Sequence, residues 1–168
     1  MAIVEGEVKS PDTVVCLGHI DTVAVEDYGE LKDYATQPVP LKQKLREIQF
    51  GEEISGALNS PDWLFGRGLL DMKAGVAAHI VMAEKFSKIR ANLVGNLVFV
   101  LVPDEEGDSA GMLSAVCDLD ELAQSNKWKY IAAIDTDYIT DKYPGDENKY
   151  VYVGTVGKLL PSFFLYGE

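Results

Sequence analysis

The sequence is poor in the residues that most often build sites: of its 168 residues, two are histidine and two are cysteine. Cys16 in VVCLG and Cys117 in SAVCDL form no CxxC pair, so they supply neither a disulfide framework nor a thiolate zinc site. Their apolar settings fit buried, reduced thiols, which points to a cytoplasmic protein. Cations are scarce too: 15 Lys+Arg against 27 Asp+Glu leave a net charge of −12. That balance argues against nucleic acid, whose phosphates need basic patches, and against anionic membrane surfaces. No apolar run approaches the ~18 residues of a membrane span. The opening MAIVEGEVKS has neither the basic nor the apolar region of a signal peptide.

What is present is enough apolar material, 47% of residues, for the core of one domain of ordinary size. Thr13 to Gly18 (TVVCLG) is a β-branched apolar run that reads as a buried strand. Residues 19–66 are polar and proline-bearing, with a short helix expected over Leu41 to Ile48. Unstructured stretches of that length are uncommon in compact domains and are often functional. Leu70 to Arg90 predicts a helix, with Met72, Val76, Ile80, Ala83 and Phe86 on one apolar face. Gly95 to Pro103 (GNLVFVLVP) reads as a strand buried on both faces of a parallel sheet. A helix over Ser109 to Gln124 and a buried strand over Tyr130 to Ile134 follow, with strands expected at Tyr150 to Val153 and Leu159 to Tyr166. This alternation predicts an α/β fold with a mainly parallel sheet and flanking helices.

Each of three apolar runs is followed by acidic or imidazole side chains: His19-Ile20-Asp21, Asp104-Glu105-Glu106 and Asp135-Thr136-Asp137. A parallel sheet brings the carboxyl ends of its strands to one edge, where ligands of open α/β sheets bind. Carboxylates gathered around an imidazole repel one another unless a cation sits among them. Imidazole with carboxylate oxygen suits zinc, and also manganese or cobalt. Several carboxylates per cluster allow a two-metal hydrolytic site, in which one bridges the ions and another is a general base. A fourth acid, Asp71, lies in FGRGLLDMKAG among Gly66, Gly68 and Gly75, at the boundary of the long loop and the strongest helix. The glycine spacing is not a dinucleotide fingerprint, and GK[ST] of a P-loop is missing. The run from Asp135 also fails the calcium-loop pattern, because Ile139 occupies the fifth position.

The segments GHID (18–21), GRGLLDMKAG (66–75) and DEEGDSAG (104–111) resemble the M20 family of metallopeptidases, and the stretch beyond them resembles its arginine-utilisation branch. The resemblance implies a hydrolase-like M20 catalytic core acting on a small peptide or acylated amino acid. It implies His19 as a ligand to one zinc, with Asp21 orienting that imidazole from the same side of the strand end. Asp71 corresponds to the carboxylate bridging both metals, Glu105 to the general base and Glu106 to a ligand of the second metal. The next ligand is Asp137, with Asp135 as the alternative. The family also implies a cis peptide bond at Asp71–Met72.

The departures from the family pattern are equally plain. Some 12 residues precede Thr13, fewer than in the family, and the loop between Asp21 and Asp71 is longer. The family's last metal-binding histidine lies beyond an inserted lid domain. His79, the other histidine here, falls inside the helix from Leu70, away from any strand end, so it is not assigned that role. The expected organisation is therefore a partial catalytic domain over 1–157, followed by the opening strand of a lid over 158–168. On this reading the chain is a fragment, weakly active or inactive alone. Two further readings stay open: a non-catalytic remnant that still holds metal, and an interaction module forming a homodimer through its terminal strand.

Overall fold

In a computed structural model of the chain, residues 1–154 and 164–167 are described here. They contain four strands and four α-helices: β1 (Ala2–Glu5), β2 (Val8–His19), α1 (Pro38–Leu45), α2 (Glu52–Asn59), α3 (Gly75–Lys88), β3 (Val94–Val102), α4 (Ala110–Asn126) and β4 (Lys129–Asp135). The strands form one open sheet in the order β1-β3-β2-β4. β2 runs parallel to both β3 and β4, and β1 is antiparallel to β3 at one edge. The fold is thus α/β with a mostly parallel sheet.

Side-chain alternation along the strands divides the core into two layers. Val15, Val98, Val100 and Val102 pack with Ala115 and Leu119 of α4. Val4, Cys16 and Phe99 pack with Ala83 and Phe86 of α3. α3 and α4 therefore cover opposite faces of the sheet. β3 lies between β1 and β2, and its run from Val98 to Val100 is 4% exposed or less. That is why GNLVFVLVP carries no polar alternation.

Several expectations need correction. β4 forms as a strand, but it is not buried: Ile131 and Ile134 are 55% and 48% exposed, and among the described residues β4 lies at an edge of the sheet. The helix expected from Leu70 is interrupted. Residues Leu69–Ala74 form an irregular turn with extended backbone at Asp71, and the regular helix begins at Gly75. The inward stripe of α3 is Gly75, Val76, His79, Ala83 and Phe86, and Ile80 faces solvent. Residues 19–66 hold more than one short helix. A 3-10 segment over Glu26–Tyr34 precedes α1, α2 follows it, and α1 ends at Leu45 rather than Ile48. Ala35 and Leu41 are fully buried, outside the two sheet layers. The strand β1 has a β-branched pair, Ile3-Val4, as its one sequence signal, and the sequence reading missed it.

Residues 1–138 and 139–168 are two compact units. In the second, the Asp146 carboxylate accepts hydrogen bonds from the Lys142 and Asn148 N–H groups at 3.1 and 3.0 Å and from the Tyr150 hydroxyl at 2.6 Å. Those bonds outweigh the cost of its burial and hold its carboxyl far below the usual range. Tyr150 to Val153 is not a strand. The expected terminal strand and the boundary near residue 157 lie largely outside the described residues, and Phe164, Leu165 and Tyr166 are exposed without strand pairing.

Candidate metal centre

The parallel register places the three acidic clusters together. β2 and β3 end side by side at His19 and Val102, and β4 ends at Asp135 opposite Leu17. His19 is 2% exposed, and its main-chain N–H donates to the Met72 sulfur at 3.0 Å. Its imidazole faces carboxylates from three other segments. His19 Nε2 lies 2.9 Å from Asp71 Oδ1, 3.9 Å from Asp137 Oδ2 and 4.0 Å from Glu105 Oε2. Two overlapping sets of atoms could each grip a cation: His19, Asp71 and Asp137, and His19, Glu105 and Glu106, with donor atoms within 4.8 Å of one another in each.

Local chemistry explains how each donor is held. Asp71 sits in the turn before α3, where the Asp71–Met72 peptide bond is cis, as the family resemblance implies. Gly68, with φ of +73°, opens that turn. A Cβ at Gly68 would overlap the Thr22 methyl group, so a glycine is needed on steric grounds as well. The long segment supports the turn from below, because the Arg67 N–H donates to the buried Ala35 carbonyl at 2.7 Å. After β3, Asp104 takes a left-handed conformation (φ 65°), and its Oδ2 accepts from the Ala110 N–H at 3.0 Å. Asp104 thus caps α4 and turns the next two acids toward the sheet edge.

Asp21 contacts both the imidazole and the turn after β3. The His19 Nδ1 contacts the Asp21 main-chain carbonyl at 3.2 Å, and the Asp21 carboxylate is 3.6 Å away. That carboxylate also accepts the main-chain N–H groups of Glu105 and Glu106, at 3.2 and 3.1 Å. Asp135 is likewise occupied, its Oδ1 accepting the Asp137 N–H at 3.1 Å. Asp137 is therefore the acid of that pair whose carboxylate approaches His19.

The electrostatics match a crowded anionic site. Burial raises the Glu105 carboxyl above its ordinary range, and the neighbouring charges of Glu106, Asp137 and Asp71 add to this. Asp137 is raised for the same first reason, with Asp71 as its main charged neighbour. His19 is also raised: burial disfavours its charged form, but the Asp71 hydrogen bond and the charges of Glu105, Asp71 and Asp137 outweigh it. Asp21 goes the other way, because the two main-chain donors outweigh its burial.

The wall beside these groups is apolar. A cavity of about 290 Å³ opens between the strand ends and α4, lined by Val100, Val102, Met112, Leu113 and Val116 together with His19, Glu105 and Asp137. Among the described residues, no helix is long and apolar enough to cross a membrane.

One imidazole and four carboxylates thus gather at the carboxyl edge of an α/β sheet, where such folds bind ligands. Residues 15–146 match the model of peptidase family M20/M25/M40, and the chain belongs to that family. It is 39% identical over 167 residues to Protein RocB of Bacillus subtilis, covering 99% of this chain and 30% of that protein. It is also 39% identical over 157 residues to protein YqjN of the same organism, covering 92% of this chain and 28% of that one. A succinyl-diaminopimelate desuccinylase of Xanthomonas campestris is 34% identical over 96 residues, covering 57% of this chain and 20% of that enzyme. The chain spans about a third or less of the length of these curated relatives.

Proposed function

We propose that this chain carries the metal-binding half of an M20-type amide hydrolase active site, with zinc as the metal. The observation that carries the reading is the convergence of His19, Asp71 and Asp137 within metal-ligating reach, with Glu105 alongside. The donor set fits the ion: one buried imidazole with carboxylate oxygens suits zinc, and manganese or cobalt would be accepted by the same atoms. His19, Asp71 and Asp137 would hold one ion, with Asp71 shared and Glu106 serving a second. A divalent cation there supplies Lewis-acid polarisation of a carbonyl and a lowered pKa for water.

The chain's own residues do the rest. Glu105, its carboxyl raised in pKa, is placed to take a proton from water and return it to the leaving amine. Asp21 holds Glu105 and Glu106 through their main-chain N–H groups. The apolar cavity beside Glu105 would accommodate the uncharged part of a small peptide or acylated amino acid while excluding water. The match to a desuccinylase supports an acylated amino acid, and the match to RocB supports a link to arginine use. Cys16 is buried as expected, whereas Cys117 is exposed; both are free thiols, which fits a cytoplasmic setting.

Calorimetric titration of the 168-residue chain with zinc near neutral pH tests the reading. Stoichiometric binding that is lost in His19→Ala is expected. Failure of the parent chain to bind zinc would overturn it.

A further inference from the structure

We propose that His79 and Gly75, one turn apart on α3, clamp Thr136 and thereby set the position of Asp137 at the metal centre. This rests on the reading of that edge as a metal site, and it gives a role to the one histidine which that reading leaves unused.

His79 is 4% exposed, an unusual place for an imidazole unless its nitrogens are satisfied. Its Nε2 lies 2.8 Å from the Leu17 carbonyl oxygen and 3.0 Å from Thr136 Oγ1. A carbonyl only accepts, so Nε2 carries the proton and donates toward both oxygens. The two partners matter because of where they lie. Leu17 is two residues before His19 on β2, and the β2–β4 register ends at the pair Leu17–Asp135. Thr136 is the next residue, where the chain leaves the sheet, and Asp137 follows it. One N–H therefore joins the strand that carries His19 to the connector that carries Asp137.

Gly75 supplies the other jaw. A Cβ at Gly75 would overlap the Thr136 carbonyl oxygen and lie 2.5 Å from Thr136 Oγ1. The helix start and the connector are thus in direct main-chain contact, with no room for a side chain between them. The Phe99 ring meets the His79 ring edge-on at 6.0 Å between centroids, which fixes the imidazole plane. The remaining side-chain hydrogen bonds of the connector are local: Asp137 N–H to Asp135 Oδ1, and Tyr138 N–H to Asp137 Oδ1. These set the shape of the turn but do not tie it to the rest of the site. The tie is made by α3. Asp137 Oδ2 stands 3.9 Å from His19 Nε2, so the position of the connector sets whether it belongs to the ligand set.

His79 is therefore a positioning residue, and its effect should be read at the metal. The test uses zinc calorimetry and the Co(II) absorption spectrum of the full 168-residue chain. His79→Leu removes the donor, Thr136→Val removes the hydroxyl while keeping the side-chain shape, and His79→Gln restores an N–H donor. His79→Leu and Thr136→Val are expected to weaken zinc binding by about tenfold or more and to shift the Co(II) bands, as loss of supporting hydrogen bonds around ligands does. His79→Gln should recover most of the affinity. Should His79→Leu fail to fold, Thr136→Val decides. Unchanged zinc affinity and an unchanged Co(II) spectrum in a folded Thr136→Val protein would overturn the clamp, provided that His19→Ala abolishes binding. If His19→Ala binds zinc like the parent, it is the metal-site reading that fails.

Discussion

The Asp21 carboxylate reaches across to the turn after β3, where its Oδ2 accepts the Glu106 main-chain N–H at 3.1 Å. Its other oxygen accepts the Glu105 N–H at 3.2 Å. One side chain thus fastens both acids of the turn to the strand that carries His19. The electrostatic logic is favourable: an ionised carboxylate meets two main-chain dipoles.

Asp21→Ala should therefore cost more than a surface substitution. Hydrogen bonds to charged groups contribute about 1.5–3 kcal/mol each, and Asp21 is about one-quarter exposed. We expect a loss of about 2–3 kcal/mol by urea denaturation, with weaker zinc binding because Glu106 loses its anchor. Stability within about 0.5 kcal/mol of the parent would show that the turn holds itself.

The pH dependence of the metal-free protein contains two opposed contributions. The folded pKa of Asp21 is depressed, so its contribution is present in full above the ordinary carboxylate value of about 3.9 and is lost as pH falls through the folded value. Glu105 and Asp137 are raised. Their contribution is present below the ordinary carboxylate range and is lost as pH rises through their folded values. His19, also raised, contributes stability that is present below the ordinary imidazole value of about 6.5 and is lost as pH rises through its folded value. Metal-free stability should thus peak in the acid range and decline toward and through neutrality. The combined change Glu105→Gln and Asp137→Asn should flatten the decline, as measured by thermal melts in a chelator-containing pH series. A decline of equal steepness in that variant would refute the assignment.

Asp137 and Asp135 can be separated directly. Asp137→Asn should weaken zinc binding by roughly a hundredfold, at least matching the effect of losing a supporting partner. Asp135→Asn should act mildly, since Asp135 serves the Asp137 N–H rather than facing His19. Calorimetry on the two variants decides, and the reverse ranking would exchange their roles.

Glu105→Gln should keep the metal and lose hydrolysis by about 10²–10⁴-fold in the protein that shows it, the usual weight of a general base. Zinc content by elemental analysis alongside initial rates checks both halves. Retained hydrolysis would remove Glu105 from the proton-transfer role.

Leu41 tests the long segment between His19 and Asp71. It is fully buried in α1, outside the two sheet layers. Leu41→Ala should cost about 2–5 kcal/mol if that segment unfolds together with the sheet. A separate, earlier transition in the melt would show that the segment opens by itself.

The sequence by itself determined what depends on neighbours along the chain. The continuous apolar runs TVVCLG and GNLVFVLVP specified the buried parts of β2 and β3. Motif likeness carried the family and the cis bond before Met72. Tertiary structure alone decided the rest, since it depends on contacts between residues 50 to 85 apart. The sulfur of Met72 meeting the His19 N–H, the Asp21 carboxylate holding Glu105 and Glu106, and His79 facing Leu17 and Thr136 leave no periodic trace in the sequence. The same holds for β4. Its apolar residues read as buried, yet among the described residues the strand order in space pairs β4 with β2 alone.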